Sequence, residues 1–192
     1  QGGIAALEIT MTVPGAVKVI AEASDRYGDR FLIGAGTVLD VKQARECVNA
    51  GARFIVSPIA DEATIRYCRQ AGVAVLPGAL TPNEIVQAWR FGADFVKVFP
   101  CGTAGGPQYL KAIKAPLPDI RLVPTGGVTI DTVAAYFSAG ASAVGVGGDL
   151  CDVKAIRRGE PEKLTIAARA YVEAVRAARG QLQAQGATRG EP

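Results

Sequence analysis

A single lysine stands inside the apolar stretch "GADFVKVFP", residues 92–100, with Phe95, Val96, Val98 and Phe99 around it. Such a run predicts a strand buried on both faces. Buried lysines are rare, because taking an ammonium out of water is costly unless it is paired or gives up its proton. Lys97 therefore admits two readings. It is a structural lysine paired to a neighbouring carboxylate, or it is an amine whose pKa desolvation lowers until a neutral fraction can attack a ketone and form a Schiff base. Schiff-base chemistry needs a proton carrier, and the chain contains no histidine. That absence excludes Ser-His and Cys-His nucleophilic pairs and leaves proton transfer to Asp, Glu, Lys, Tyr or water. Glu8 is the natural carrier: strand alternation in "ALEITMT" puts Glu8, Thr10 and Thr12 on one face, with Leu7 and Ile9 on the other. Its plainer roles are salt-bridge partner and strand-end surface charge.

Further polar and glycine positions fall where other apolar runs end. These are Thr37 in "GAGT", Ser57-Pro58, Pro77-Gly78, Thr125 in "PTGG", and "GVGG" through Gly148. Gly126-Gly127 and Gly147-Gly148 can offer adjacent backbone N–H groups to a phosphate or carboxylate; tight turning is the other explanation.

The elements that must position these groups alternate at a steady beat. Apolar strands are read at residues 5–11, 31–38, 54–57, 74–77, 94–99, 121–125 and 143–146, with helical spacing between them, as at Val41, Ala44 and Val48. Asp40, Thr81-Pro82 and Thr129 are expected to start helices, and Gly51, Gly72, Gly92 and Gly140 to close them. This βα repeat predicts a parallel sheet covered by helices, and eight strands would close a (β/α)8 TIM barrel whose active site sits at the carboxyl ends of the strands. Seven strands are read, and "QGGIAAL" begins as though a helix had just ended, so a first βα unit is expected to precede Gln1. One domain over 1–192 is expected, with a final helix at about 161–185 and a frayed polar tail after 185. No G-x-G-x-x-G follows the first strand, which weakens a dinucleotide-binding open sheet.

Composition narrows the classes further. The 192 residues carry a net charge of +3 with acids and bases mixed, which gives no nucleic-acid footprint. Apolar runs are too short for a membrane span, which takes about 20 residues. Cys47, Cys68, Cys101 and Cys151 stand far apart and read as reduced thiols of a cytoplasmic protein rather than as a disulfide frame or zinc site.

Taken in order, "ALEITMTVPGA", "GAGTVLD", "FIVSP", "LPGALTPNEI", "GADFVKVFP", "LVPTGGV" and "AVGVGG" resemble the class I aldolases that cleave 2-keto-3-deoxy-6-phosphogluconate and 4-hydroxy-2-oxoglutarate. The resemblance runs from residue 5 to about 150. It implies a (β/α)8 barrel, a homotrimer, no metal or cofactor, and a small keto-acid substrate split into pyruvate and an aldehyde. It assigns the Schiff base to Lys97, acid-base work to Glu8, the pyruvate end to Thr37, the substrate hydroxyls to Thr125, and the phosphate to Gly126, Gly127, Gly147 and Gly148. It also places Thr12, which stands where many relatives carry an anion-gripping arginine, and Pro58 among the substrate-binding residues. Where many relatives continue with a phosphate-holding serine, this chain has Gly148 then Asp149; an inward Asp149 would disfavour a phosphorylated substrate. Two other readings stay open: a phosphate-binding barrel isomerase or synthase, and a trimeric barrel serving as an assembly scaffold.

Overall fold

The computed structural model describes residues 2–188, with side chains through 184. Strands and helices alternate: β1 (Ala6–Thr10), α1 (Ala16–Tyr27), β2 (Leu32–Gly36), α2 (Val41–Asn49), β3 (Phe54–Val56), α3 (Glu62–Gln70) and β4 (Ala74–Leu76). There follow β5 (Gly78–Ala79), α4 (Pro82–Arg90), β6 (Val96–Val98), α5 (Gly106–Lys114), β7 (Leu122–Pro124), α6 (Val133–Ser138), α7 (Val153–Arg157) and α8 (Pro161–Thr188). One sheet has the order β1-β2-β3-β4 with every pair parallel, and a second has the order β5-β6-β7. The fold is thus α/β with parallel strands, as the repeat predicts.

Local chemistry explains the helix boundaries. Asp40 accepts the Gln43 N–H at 2.8 Å, and Asp61 accepts the Thr64 N–H at 2.8 Å, each satisfying an otherwise unpaired first-turn donor. Thr81 and Glu84 form a reciprocal capping box ahead of Pro82. The backbone N–H groups of Thr81 and Leu80 hold the Glu84 carboxyl below its ordinary pKa. Gly51, Gly72, Gly92 and Gly140 all take positive φ, between 68° and 104°, just past helix ends. Thr129 is not the cap of α6. Its N–H donates to the Thr132 hydroxyl at 2.9 Å, a turn forms first, and the helix begins at Val133.

The described chain divides into two compact units, residues 5–99 with 119–122, and residues 2–4 with 100–118 and 123–188. In the first, Ile20, Ile33, Ile55, Ile65 and Val75 are fully buried between helices and sheet, with Cys47 and Cys68 among them. Burial pushes both thiols up to about 11. In the second, α6 packs on α8, burying Tyr136, Phe137 and Tyr171. Arg179 of α8 donates to the Ser142 carbonyl at 3.0 Å and lies over the Phe137 ring.

Three expectations are corrected. Residues 143–146 form no strand; Gly145 makes only an isolated parallel bridge to Thr125, and the glycine run that follows turns back on itself, its Gly147 carbonyl bound by the Leu150 and Cys151 N–H groups. Phe99 is 37% exposed, since β6 ends at Val98 and leaves its ring at the mouth of the strand. The final helix reaches Thr188 rather than stopping at about 185; residues 189–192 of the tail lie outside the described residues. All four cysteines are free, three of them buried. No helix among the described residues is long and apolar enough to cross a membrane.

Candidate active site

Lys97 occupies the middle of β6, where Val96 and Val98 are fully buried and Lys97 itself is only 8% exposed. Its N–H donates to the Pro77 carbonyl at 2.9 Å and it pairs with Gly78 of β5, so the backbone is fixed on that side. The amine lies over the face of Phe99, 4.8 Å from the ring centroid. Glu8 approaches from β1. It keeps one side open to solvent while protein crowds the rest.

Neither Lys97 nor Glu8 belongs to any ion pair among the described residues. A directly salt-bridged structural lysine is therefore not what the structure contains. The two groups still feel each other's charge. Burial lowers the Lys97 pKa against the pull of Glu8, and desolvation raises that of Glu8 against the pull of Lys97. Both are driven toward neutrality. A lowered pKa favours the neutral form of a lysine, and a raised one favours the protonated form of a carboxyl.

The strand beside Glu8 is shaped to admit it. Gly36 of β2 has no side chain, and a Cβ there would overlap the Glu8 carboxylate and lie 2.7 Å from its Cγ. Next in the chain, Thr37 adopts φ 57°, the only non-glycine at positive φ among the described residues. A β-branched residue in that region is strained, so something other than backbone preference holds it there. Thr10 and Thr12, beyond Glu8, share a hydroxyl–hydroxyl hydrogen bond of 2.8 Å. Pro58 lies against Gly78, whose hypothetical Cβ would come within 2.7 Å of the Pro58 Cα; the Gly78 N–H is bound by the Ile59 carbonyl. Pro58 thus flanks the strand that pairs with Lys97. Glu8, Thr12, Thr37, Pro58 and Lys97 all belong to the first compact unit.

Thr125, Gly126, Gly127, Gly147 and Gly148 belong to the second unit. Thr125 fills the space beside Gly145, where a Cβ would lie 3.1 Å from the Thr125 methyl. Its carbonyl receives the Cys101 N–H, and the Gly126 carbonyl receives the Gly102 N–H, both at 2.8 to 2.9 Å, so two loops are laced together. Gly126 and Gly127 both take φ near 80°. The Gly147 carbonyl closes a turn onto the Leu150 and Cys151 N–H groups, and no side chain or backbone crowds Gly147 or Gly148. Asp149 accepts a hydrogen bond from the Tyr171 hydroxyl on α8. Its charge helps hold the Tyr171 pKa well above the ordinary phenol value, after burial itself. The carboxylate that could have faced the glycine turn is engaged with a helix instead.

Three contributors were not singled out from sequence: Gly36, the Phe99 face and Tyr171. A glycine inside a strand that neighbours a glutamate strand is a legible signal for a close approach. Phe99 stands two residues beyond Lys97, just past the end of β6. Nothing in the sequence joins Tyr171 to Asp149.

Comparison with known proteins bears on these features together. The family model described as "KDPG and KHG aldolase" matches residues 1–167. The 2-dehydro-3-deoxy-6-phosphogalactonate aldolase of Escherichia coli K12 is 39% identical over 180 residues, covering 93% of this chain and 85% of that protein. A solved structure titled "Native KDPGal structure" superposes with a TM-score of 0.86 at 37% identity, covering 93% of this chain and 85% of that one. The KDPG aldolase of Legionella pneumophila, solved with pyruvate as a covalent carbinolamine intermediate, gives a TM-score of 0.82 at 31% identity, covering 88% of this chain and 82% of its own.

Proposed function

The chain belongs to the KDPG and KHG aldolase family, an aldehyde-lyase, and on that premise we propose that Lys97 is its Schiff-base nucleophile and Glu8 its acid-base group. The observation that carries the proposal is the lysine of β6, nearly inaccessible and in no ion pair among the described residues, sharing an electrostatic environment with Glu8, whose carboxyl burial pushes toward protonation. The substrate is a 2-keto-3-deoxy-6-phospho sugar acid or 4-hydroxy-2-oxoglutarate, and the products are pyruvate and an aldehyde.

The neutral Lys97 amine attacks the C2 carbonyl, forming a C–N bond while the carbonyl oxygen takes up a proton. Loss of that oxygen as water leaves an iminium whose carbon accepts electrons. Glu8 removes the proton of the C4 hydroxyl; the C3–C4 pair flows toward the iminium, releasing the aldehyde and leaving an enamine. Protonation at C3 and hydrolysis return free lysine and pyruvate. Thr37 holds the pyruvate carboxylate with Thr12 and Pro58 at the edge of the site. Thr125 contacts the substrate hydroxyls, and the N–H groups of Gly126, Gly127, Gly147 and Gly148 receive the terminal anion. The engagement of Asp149 with Tyr171 supports a phosphorylated substrate over a neutral one, because it directs that carboxylate to α8.

The same proposal includes closure of the parallel strands into one (β/α)8 barrel domain, assembly as a homotrimer and action in the cytoplasm. An isomerase or synthase leaves Lys97 and Glu8 without roles, and a pure scaffold needs neither. Mass spectrometry after incubation with pyruvate and sodium borohydride tests the chemistry. One reduced pyruvate adduct on Lys97, absent from Lys97→Ala, is the expected result. A folded protein that gains no such mass overturns the proposal.

A further inference from the structure

The Lys97 amine has two electrostatic neighbours of different kinds. Glu8 supplies a charge that titrates. The second is the face of Phe99, 4.8 Å from Nζ to ring centroid, which supplies a fixed negative quadrupole that no pH change removes. Phe99 stands two positions beyond Lys97, just past the end of β6, and the backbone that carries both is pinned. The Lys97 N–H is bound by the Pro77 carbonyl at 2.9 Å and the Phe99 N–H by the Ala79 carbonyl at 3.1 Å. Phe99 is 37% exposed and Lys97 only 8%. A ring in that position does little as core filling. It covers one side of the amine.

Among the described residues, Glu8 is the one charge that acts on Lys97. β5 sets Gly78 opposite Lys97 and Ala79 opposite Val98, and β7 (Leu122–Pro124), the next strand of that sheet, carries no charged residue. Arg121, just before β7, is held on the Trp89 and Phe95 rings at 5.4 and 4.9 Å. Glu8 from β1 is the charged group in the local field.

We propose that Phe99 is an electrostatic positioning residue for the aldolase reaction, its ring face stabilising the positive charge that Lys97 Nζ carries as ammonium and again as iminium. This deepens the assignment of Lys97 as the nucleophile and rests on it. When the amine attacks C2, its lone pair forms the C–N bond. When water departs, the nitrogen's electrons form C=N and the nitrogen becomes cationic. Glu8 is consumed as a stabiliser whenever it is protonated in turnover, and the ring is not. Phe99 thus keeps the iminium favourable during the steps in which the carboxyl carries the proton.

Replacing Phe99 by mono-, di- and trifluorophenylalanine weakens the ring face stepwise at nearly constant shape, and Phe99→Leu removes it. Two quantities are read in each protein: the fraction of Lys97 trapped by borohydride with pyruvate, and the midpoint of the rising limb of kcat/KM against pH. Attack needs neutral lysine, so the limb follows the free-enzyme pKa of Lys97. Loss of cation stabilisation moves it to lower pH by about half a unit to one unit across the series. The trapped fraction falls in the same order. A limb and a trapped fraction that ignore fluorination, in enzymes whose wild type still traps pyruvate, overturn the role of Phe99 alone. A wild-type protein that traps no pyruvate overturns the Lys97 assignment and this inference with it.

Discussion

Gly36→Ala places a methyl group where the Glu8 carboxylate lies. The added Cβ would overlap the carboxylate and sit 2.7 Å from Glu8 Cγ, so Glu8 must swing away. The atoms it meets are the far end of a flexible side chain with one side open to solvent, so the chain can yield without moving backbone. Loss of unfolded-state freedom on going from Gly to Ala offsets part of the cost, and stability should change by no more than about 1 kcal/mol. That corresponds to a melting shift of roughly 2–4 °C in a chain of this size. Catalysis should respond far more strongly, because general acid-base assistance contributes about 100- to 10,000-fold. The displaced carboxylate also stops raising the Lys97 pKa, so the amine becomes more readily neutral and the pyruvate adduct should still form. The assay follows pyruvate release from 2-keto-3-deoxy-6-phosphogluconate with lactate dehydrogenase, beside borohydride trapping and a thermal melt. Gly78→Ala is the contrasting variant. Its Cβ would strike the Pro58 backbone, which cannot rotate aside, and overpacking of that kind costs about 1–3 kcal/mol or more. Gly36→Ala turnover within twofold of wild type, in a protein that melts normally, would refute the placement of Glu8 in the chemistry.

Thr37→Gly relieves a threonine held at φ 57° and should stabilise the fold by up to about 1 kcal/mol while raising KM for the keto acid, a pairing that calorimetry and steady-state kinetics check together. Lys97→Met should raise the melting temperature by a few degrees near neutral pH. The folded pKa of Lys97 is lowered, so its favourable contribution is present above about pH 10.4 and lost as pH falls through the folded value; the gain from Lys97→Met should accordingly shrink toward alkaline pH in a melting series. Tyr171→Phe frees Asp149, and one unscreened charge near an anion costs about 1 kcal/mol, so KM for the phosphorylated substrate should rise roughly fivefold with KM for 4-hydroxy-2-oxoglutarate unchanged. Restoration of the lower KM in the Tyr171→Phe, Asp149→Asn double variant completes that test.

Much of the architecture was legible because its signals are local. Asp40 and Thr81 announce helix starts through hydrogen bonds three residues away, and the four closing glycines announce ends through a backbone shape other residues avoid. Lys97 and Glu8 were legible because an ionisable group in an apolar strand is conspicuous. What escaped depended on space or distance. The two-residue β5 is too short for periodicity to register, and Phe99 looked buried because composition does not reveal where a strand stops. Thr129 suits a cap by residue type, and only the turn its N–H closes onto the Thr132 hydroxyl moves the helix start to Val133. Asp149 invited repulsion arguments until its partner, far along on α8, was in view.

The first sheet pairs each strand with the next one in the chain, β1 with β2, β2 with β3, β3 with β4, one helix intervening each time. No strand of that sheet waits for a distant partner, so its loop-closure entropy is spent in small steps. A ribosome delivers roughly 5–20 residues per second, slower than such a segment needs to fold. The sheet can therefore grow by one module at a time during synthesis, each strand docking on the edge its predecessor has just exposed. Lys97 enters only after that sheet is in place, which means the charged residue hardest to bury arrives when there is already a surface to bury it against.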